Sequence, residues 1–484
     1  MSGTHFIDSF KARWAGTGGY REILTIAFPL ILSTGSWSIQ HFVDRMFLTW
    51  YSPEAIAAAM PAGILNFTIV SFFIGIAGYV TTFVAQYHGA KQTDRIGAIV
   101  WQGIYVAAIG GVVLMAAAPL AGPLFRFFGH APAVQENEVV YFQVLCWGSG
   151  PAIAASALSG FFSGIGKTWP VMWVNLIATL VNIVFDYLLI FGNGGFPALG
   201  MKGAAIATVL SGSVNMGSLL FLLSRPAYRQ AYDPFRRWKF DRPLFLRLLK
   251  FGSPAGVQFF LDIAGFTLFI LLVGRLGTES LAATNIAFNI NTLAFMPMLG
   301  FGIAVSVVVG QYIGQNRPEL AQRGVYSGFH MTFGYMAAVA TLYVAAPGLF
   351  IEPYAAHVSA AGFDSIRRLT VVLLRFVAFY CLFDTMNIIF ASALKGAGDT
   401  RFIMVLTSLL TGGLLILPTY VSMIYFEGGI LTVWTIATVY VCALGSAFWW
   451  RFRQGHWKSM RVTGECPHCL TQSFPETPSA GFNS

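Results

Sequence analysis

Apolar runs of about 20 residues or more recur roughly every 35 to 40 positions along this 484-residue chain, each long enough to cross a hydrocarbon core of about 30 Å as an α-helix. A lipid-exposed backbone must satisfy its own hydrogen bonds, which leaves helices or closed barrels. Twelve runs are present, near 23–49, 55–87, 96–125, 138–163, 169–192, 201–224, 248–274, 280–312, 323–350, 366–394, 402–426 and 429–450. They predict an all-α integral membrane protein of twelve transmembrane helices. With 56% apolar and 10% charged residues, the chain has too little polar surface for a soluble globule of this size. Lys11, Arg13 and Arg21 precede no compact apolar core with a small-residue cleavage site, so no removable signal peptide is expected.

Basic residues assign the sides. The two termini and the even-numbered connections hold 22 of the 29 Lys plus Arg, the distribution expected when both ends are cytoplasmic. The chain is therefore expected in the cell (inner) membrane. Eight of the basic residues fall between Arg225 and Lys250, which suits an anionic inner leaflet. The net charge of +9 then reads as topology and lipid contact, and nucleic acid is not an expected partner.

Shifting the chain by 225 residues lays Pro29 on Pro254 and runs without a gap to Gly89 on Gly314. Glu54 meets Glu279, Asn66 meets Asn291, Gly75 meets Gly300 and Gln86 meets Gln311. A second block at a shift of 232 lays Gly164, Gly166 and Thr168 on Gly396, Gly398 and Thr400. Membrane-helix composition explains shared glycines but not shared polar residues at one offset. The chain is a duplication of six spans, and an even number makes the repeat parallel. The expected organisation is a cytoplasmic segment 1–22, an N-lobe 23–224, a basic linker 225–247, a C-lobe 248–450 and a cytoplasmic tail 451–484. Pro29, Pro254 and Pro297 inside spans are candidate kinks or hinges.

Four aspartates, Asp44, Asp186, Asp262 and Asp384, fall inside the apolar runs. Each costs roughly 2.5 to 3.5 kcal/mol at the bilayer centre, and intramembrane acids usually serve ions or substrates. Gln40, Asn182, Gln258 and Tyr380 stand four residues before them, hence on the same helix face. Counting rise from the cytoplasmic ends puts Asp44 and Asp186 roughly 33 and 28 Å up, and Asp262 and Asp384 roughly 18 and 16 Å up. One pair per lobe is expected, each able to exchange a proton or sodium ion for a cationic substrate. The plainer alternative is structural, with Asp44 paired to Arg45; Arg375 is another candidate partner for an acid.

The stretches Phe28 to Leu30, Phe42 to Asp44, Val84 to Gly89, Val309 to Gly314, Asn182 to Asp186, Leu199 to Thr208 and Ala393 to Thr400 resemble the multidrug and toxic compound extrusion family, in particular its NorM-type branch. The resemblance covers about residues 20 to 450. It implies an outward-extruding antiporter of two six-helix lobes in a V, driven by H+ or Na+, with a small-molecule substrate, a monomeric transport unit and no cofactor. It further implies a cation site of Asp44, Asn182, Asp186 and Thr208 in the first lobe, and one of Asp262, Tyr380, Asp384 and Phe295 in the second. The family usually has glutamate where Asp262 stands, and the missing methylene favours protons over a many-liganded sodium ion.

Aromatic faces with carboxylates suit flat lipophilic cations. A flippase or exporter of lipid-linked or anionic metabolites would more naturally place Arg or Lys in its cavity. A membrane aspartyl enzyme would need a signature absent around Asp186, Asp262 and Asp384. Cys466 and Cys469 form a lone Cys-Pro-His-Cys in the tail, weak for a metal site without a second pair. The tail is expected to be dispensable, with truncation after Arg461 leaving transport unchanged.

Overall fold

The structure is a computed structural model that describes residues 13–355 and 360–464. Lys11, Cys466 and Cys469 lie outside the described residues. Among the described residues there is no β-strand. The first half comprises α1 (Tyr20–Tyr51), α2 (Pro53–Gly78), α3 (Val80–Gly89), α4 (Thr93–Ala117), α5 (Ala121–Phe128), α6 (Pro132–Trp147), α7 (Ser149–Gly164), α8 (Trp169–Phe191), α9 (Met201–Leu223) and α10 (Pro226–Tyr232). The second comprises α11 (Arg242–Gly274), α12 (Thr278–Gly314), α13 (Pro318–Ala345), α14 (Pro347–Ala355), α15 (Ala360–Ala397), α16 (Thr400–Leu410), α17 (Leu417–Tyr425) and α18 (Ile430–Gln454).

Ten of these helices or continuous helix pairs are long and apolar enough to span a membrane, and two bent pairs, α6 with α7 and α13 with α14, complete twelve. Local sequence sets the ends. Ser52 caps α2, its hydroxyl accepting from the Ala55 amide at 3.0 Å, with Pro53 next. Asp241 caps α11 in the same way, accepting from the Leu244 amide at 3.1 Å. Helix α11 therefore starts at Arg242, six residues before the apolar run expected from 248.

The expected proline kinks are not where the helices break: α1, α11 and α12 run continuously through Pro29, Pro254 and Pro297. The break in the fourth span, bent by 46°, falls at Gly148. A Cβ there would meet Val209 of α9 at 2.0 Å, so the bend makes room for a neighbouring side chain. In the eleventh span a π-helical turn, Thr411–Ile416, separates α16 from α17.

The duplication governs packing. In the first half the buried side chains of α11, including Leu244, Leu248 and Ala255, join the N-lobe core. Conversely Ile23, Ile26, Ala27 and Leu30 of α1 join the C-lobe core. Ile23 and Leu248 are 225 residues apart, so each lobe accepts the equivalent helix of the other. The residues contributed across the lobes lie in the halves of α1 and α11 nearest the basic linker, on what is the basic face of the molecule. Toward the opposite face the clusters are lobe-pure: one of Phe47, Leu48, Ala55 and Ala58 with α8 and α9, and two others wholly within α11 to α18. The lobes join at the basic face and part toward the other.

Linker and tail are both docked. Trp101 of α4 donates its indole N–H to the Pro234 carbonyl at 2.7 Å, Tyr105 donates to the Trp238 carbonyl, and Arg237 pairs with Asp94 at 3.6 Å. Arg229, Arg236, Trp238, Lys239 and Phe240 remain exposed.

Candidate functional site

In the N-lobe, α1 and α8 run parallel and meet in a fixed register of 142 residues. Asn175 donates its side-chain amide to the Ser33 hydroxyl, and Asn215 of α9 donates to the Asn175 carbonyl oxygen at 2.5 Å. Eleven residues, or about 16 Å, further along both helices, the same register sets the Asp44 carboxyl against that of Asp186. Gln40 and Asn182 share this offset, one turn below. Asp44 and Asp186 are buried, and neither oxygen of Asp186 receives an N–H or O–H donor. Oδ1 of Asp44 and both polar atoms of the Asn182 amide are likewise buried without a partner.

Tyr141 of α6 completes this cluster, within electrostatic reach of Asp44 and Asp186, beside Thr208, whose hydroxyl donates to the Ala204 carbonyl at 3.1 Å. Two ionised carboxylates with no donor between them repel strongly in a low-dielectric site. The arrangement is suited to hold a proton or a small cation between its oxygens. Gln40 is half-buried and His41 exposed beside it.

The C-lobe acids are built differently. Asp262 is exposed and accepts from the Gln258 amide at 3.1 Å, whereas Asp384 is buried and accepts from the Asn387 amide at 3.0 Å. Asp384 and Lys395, both on α15, lie within electrostatic reach of Asp262. Tyr380 is buried and accepts from the Asn291 amide at 3.4 Å, and Phe295 packs half-buried on the same core. Here each carboxylate already has a side-chain donor.

Beneath both sites lies a seal repeated by the duplication. Gln86 at the end of α3 donates its amide to the Gly396 carbonyl at 3.0 Å, and Gln311 of α12 donates to the Gly164 carbonyl at 2.8 Å. Close backbone approach supports these bonds. A Cβ on Gly89 would meet the Gln311 oxygen at 2.0 Å, and one on Gly314 the Gln86 oxygen at 2.2 Å. Higher up, a Cβ on Gly75 would meet Gly256 at 2.6 Å and one on Gly300 would meet Ile31 at 2.7 Å. Only glycine permits these crossings.

A protein-family model described as MatE matches residues 29–188 and again 254–421. The two matches begin at Pro29 and Pro254, the start of the duplicated register. The chain belongs to the MatE family. Among relatives of this MatE protein, a probable multidrug resistance protein NorM from Bradyrhizobium diazoefficiens is 31% identical over 78% of the chain and 81% of that protein. A probable multidrug resistance protein NorM from Synechocystis is 29% identical over 90% and 94%. In fold, this MatE chain is similar to a multidrug resistance MATE family transporter solved in an outward-facing conformation, with a TM-score of 0.82, 19% identity and coverage of 93% and 98%. A MOP superfamily transporter from Pyrococcus furiosus matches equally, with a TM-score of 0.82 and 19% identity. The expected two-lobed, all-α architecture and the NorM-type resemblance hold, and the protein is a multi-pass membrane transporter of this family.

Of the residues singled out in the sequence, the structure gathers Asp44, Asp186, Asn182 and Thr208 in one lobe and Gln258, Asp262 and Asp384 in the other. Among the described residues no ion pair joins Arg45 or Arg375 to an aspartate. Arg375 instead lines a groove of about 520 Å³ between α13 and α15, with Ala340 and Phe379.

Two residues of interest escaped the sequence reading. Tyr141 resembles any apolar-span tyrosine, and only tertiary packing brings it to the acids. Glu138 is 0% exposed, with one oxygen 2.8 Å from His130 Nδ1 and the other unpartnered. It lies at the edge of the fourth apolar run, and its depth depends on where α6 begins. The first part of the tail is also packed into the core through Val462.

Proposed function

We propose that this MatE transporter is a secondary antiporter that exports lipophilic, mainly cationic compounds in exchange for H+ or Na+ by alternating access between its lobes. The observation that carries the reading is the Asp44–Asp186 pair: buried, face to face and without a hydrogen-bond donor between its oxygens. Such a pair needs a proton or cation, and gives it up when a competing positive charge or a change of solvent access alters the balance. The relatives named as multidrug resistance proteins support export of drug-like molecules.

Asp262 and Asp384, already hydrogen-bonded, form the negative wall that a cationic substrate meets in the C-lobe. The basic face is cytoplasmic, both ends of the chain lie inside, and the unit of transport is one chain with lobes at 23–224 and 248–450. The exposed Arg229, Arg236 and Lys239 then face inner-leaflet headgroups.

Purified protein in vesicles should move ethidium under one imposed gradient, sodium or pH, and fail under the other. Movement under one gradient alone identifies the coupling ion. If neither gradient drives dye movement in folded protein, cation-coupled export is wrong.

A further inference from the structure

The described chain continues past the last helix. α18 stops at Gln454, Gly455 turns the backbone with φ 78°, and a short 3-10 turn, His456–Ser459, folds back. Trp457 anchors the turn, stacking on Phe452 at 4.8 Å between rings and donating its indole N–H to the Phe452 carbonyl at 2.9 Å. At Met460 the backbone leaves the turn in an extended conformation, and the chain then bends at Val462 and Thr463 on the basic face.

Most of its attachments are to the lobe it comes from. Arg461 donates to the Ile313 carbonyl, and to Asn316 at 2.7 Å, just past the end of α12. Arg247 of α11 donates to the Thr463 carbonyl at 2.9 Å. Val462 lies over Gly398, whose Cβ position is 2.9 Å from the valine methyl. One attachment crosses to the other lobe. The Val462 amide donates to the Gln86 side-chain oxygen at 2.9 Å, and the valine, 1% exposed, is buried within the N-lobe core cluster.

Gln86 is thus held at both ends of its side chain, by Gly396 through the nitrogen and by Val462 through the oxygen. The side chain of its duplicate Gln311 makes, among the described residues, only the bond to Gly164. The duplication supplies two equivalent seals, and the tail reinforces one of them.

We propose that residues 460–464 are a bolt: a strap fixed to the C-lobe that holds the N-lobe through Val462 and Gln86, and must release it for the basic face to open. The inference rests on the alternating-access reading above. Parting the lobes at this face pulls Gln86 away from Gly396 and Val462 together, so the strap stabilises the state closed at the basic face. Its C-lobe anchors at Arg461, Arg247 and Trp457 keep it in place to re-engage when the lobes return.

The test uses the full chain in lipid nanodiscs, with spin labels on unnatural amino acids at Thr93 and Glu319, both exposed at the basic ends of α4 and α13. Electron–electron distance measurements should show a predominant short distance in the parent. Truncation after Ser459 should raise the long-distance population at least fivefold. Val462→Pro removes the amide donor while keeping apolar bulk, and should raise it as well. Truncation after Gly464 should leave the parent distribution. Parent-like distances in both the Ser459 truncation and Val462→Pro would overturn the bolt, as would a shift produced by truncation after Gly464 alone. A parent that moves no dye under either gradient would overturn the transport reading itself, independently of the tail.

Discussion

Gln86 and Gln311, 225 residues apart, each donate a side-chain amide across the lobe boundary to a glycine that closes a helix of the other lobe. The acceptors, Gly396 and Gly164, are themselves equivalent in the repeat. A neutral hydrogen bond contributes about 0.5 to 1.5 kcal/mol net, so Gln311→Ala should shift the closed-to-open ratio at the basic face by roughly 2- to 10-fold. Gln86→Ala loses the strap contact too and should shift it further. Equal effects of the two substitutions in distance measurements would show that the strap adds nothing to this seal.

Asp186→Asn keeps the shape of the side chain and removes its ability to carry a charge or an exchangeable proton. Dye efflux from vesicles should fall more than tenfold while the protein stays monodisperse in detergent, and Asp44→Asn should do the same. Parent rates in both variants would remove the pair from the coupling site.

Asp262 is exposed and, among the described residues, accepts from one side-chain donor, Gln258, as expected of a group that meets substrate rather than one that holds structure. Asp262→Asn should raise the half-saturating concentration of a cationic dye several-fold and leave that of a neutral substrate nearly unchanged. The comparison is of transport rates for the two compounds in one preparation. A uniform loss for both would place Asp262 in coupling instead.

Gly75 and Gly256 bring α2 and α11 into backbone contact, and a Cβ on Gly75 would lie 2.6 Å from the Gly256 Cα. Gly75→Val should force the lobes apart near the middle of the seal and favour opening at the basic face. Protease cleavage within Arg225–Asp241 or the other loops of that face should accelerate. A cleavage pattern identical to the parent's would show that the contact yields without moving the lobes.

Glu138 depends on His130, which is itself 41% exposed. Removing one partner of a buried pair leaves the other uncompensated, and discounting for that exposure, His130→Ala should cost about 1 to 2 kcal/mol. Thermal unfolding in detergent should show the loss as a lowered midpoint, with His130→Gln, which retains hydrogen-bonding capacity, falling less. Unchanged midpoints for both would mean that Glu138 is satisfied without His130.

Much of this architecture is legible in the sequence because membrane helices are specified by long local runs. The repeat is legible too, since Gln86 and Gln311 or Gly75 and Gly300 carry the same contact in both copies. The pairing of Asp44 with Asp186 follows from depth along two parallel helices. What stays hidden depends on side chains arriving from elsewhere. Tyr141 reaches the acids only because α6 packs there, the bend at Gly148 answers to Val209, and the continuity of helices through Pro29, Pro254 and Pro297 is decided by surrounding packing. Nothing in the composition of Met460 to Gly464 announces that a valine there is buried between lobes.

The π turn at Thr411–Ile416 bears on why the two copies carry different chemistry. Counted from the shared Gly-x-Gly-x-Thr phrase, Asp186 meets Pro418 at the unbroken offset and Thr419 once the extra residue of that turn is allowed for, and neither is an acid. One residue of extra winding rotates everything after it by about 100° relative to a regular helix. The second copy therefore presents a different stripe of its fifth span to its interior, and its acids come from α11 and α15 instead. The duplicated shell is thus kept in both halves while the winding of one span sets what the second half turns inward.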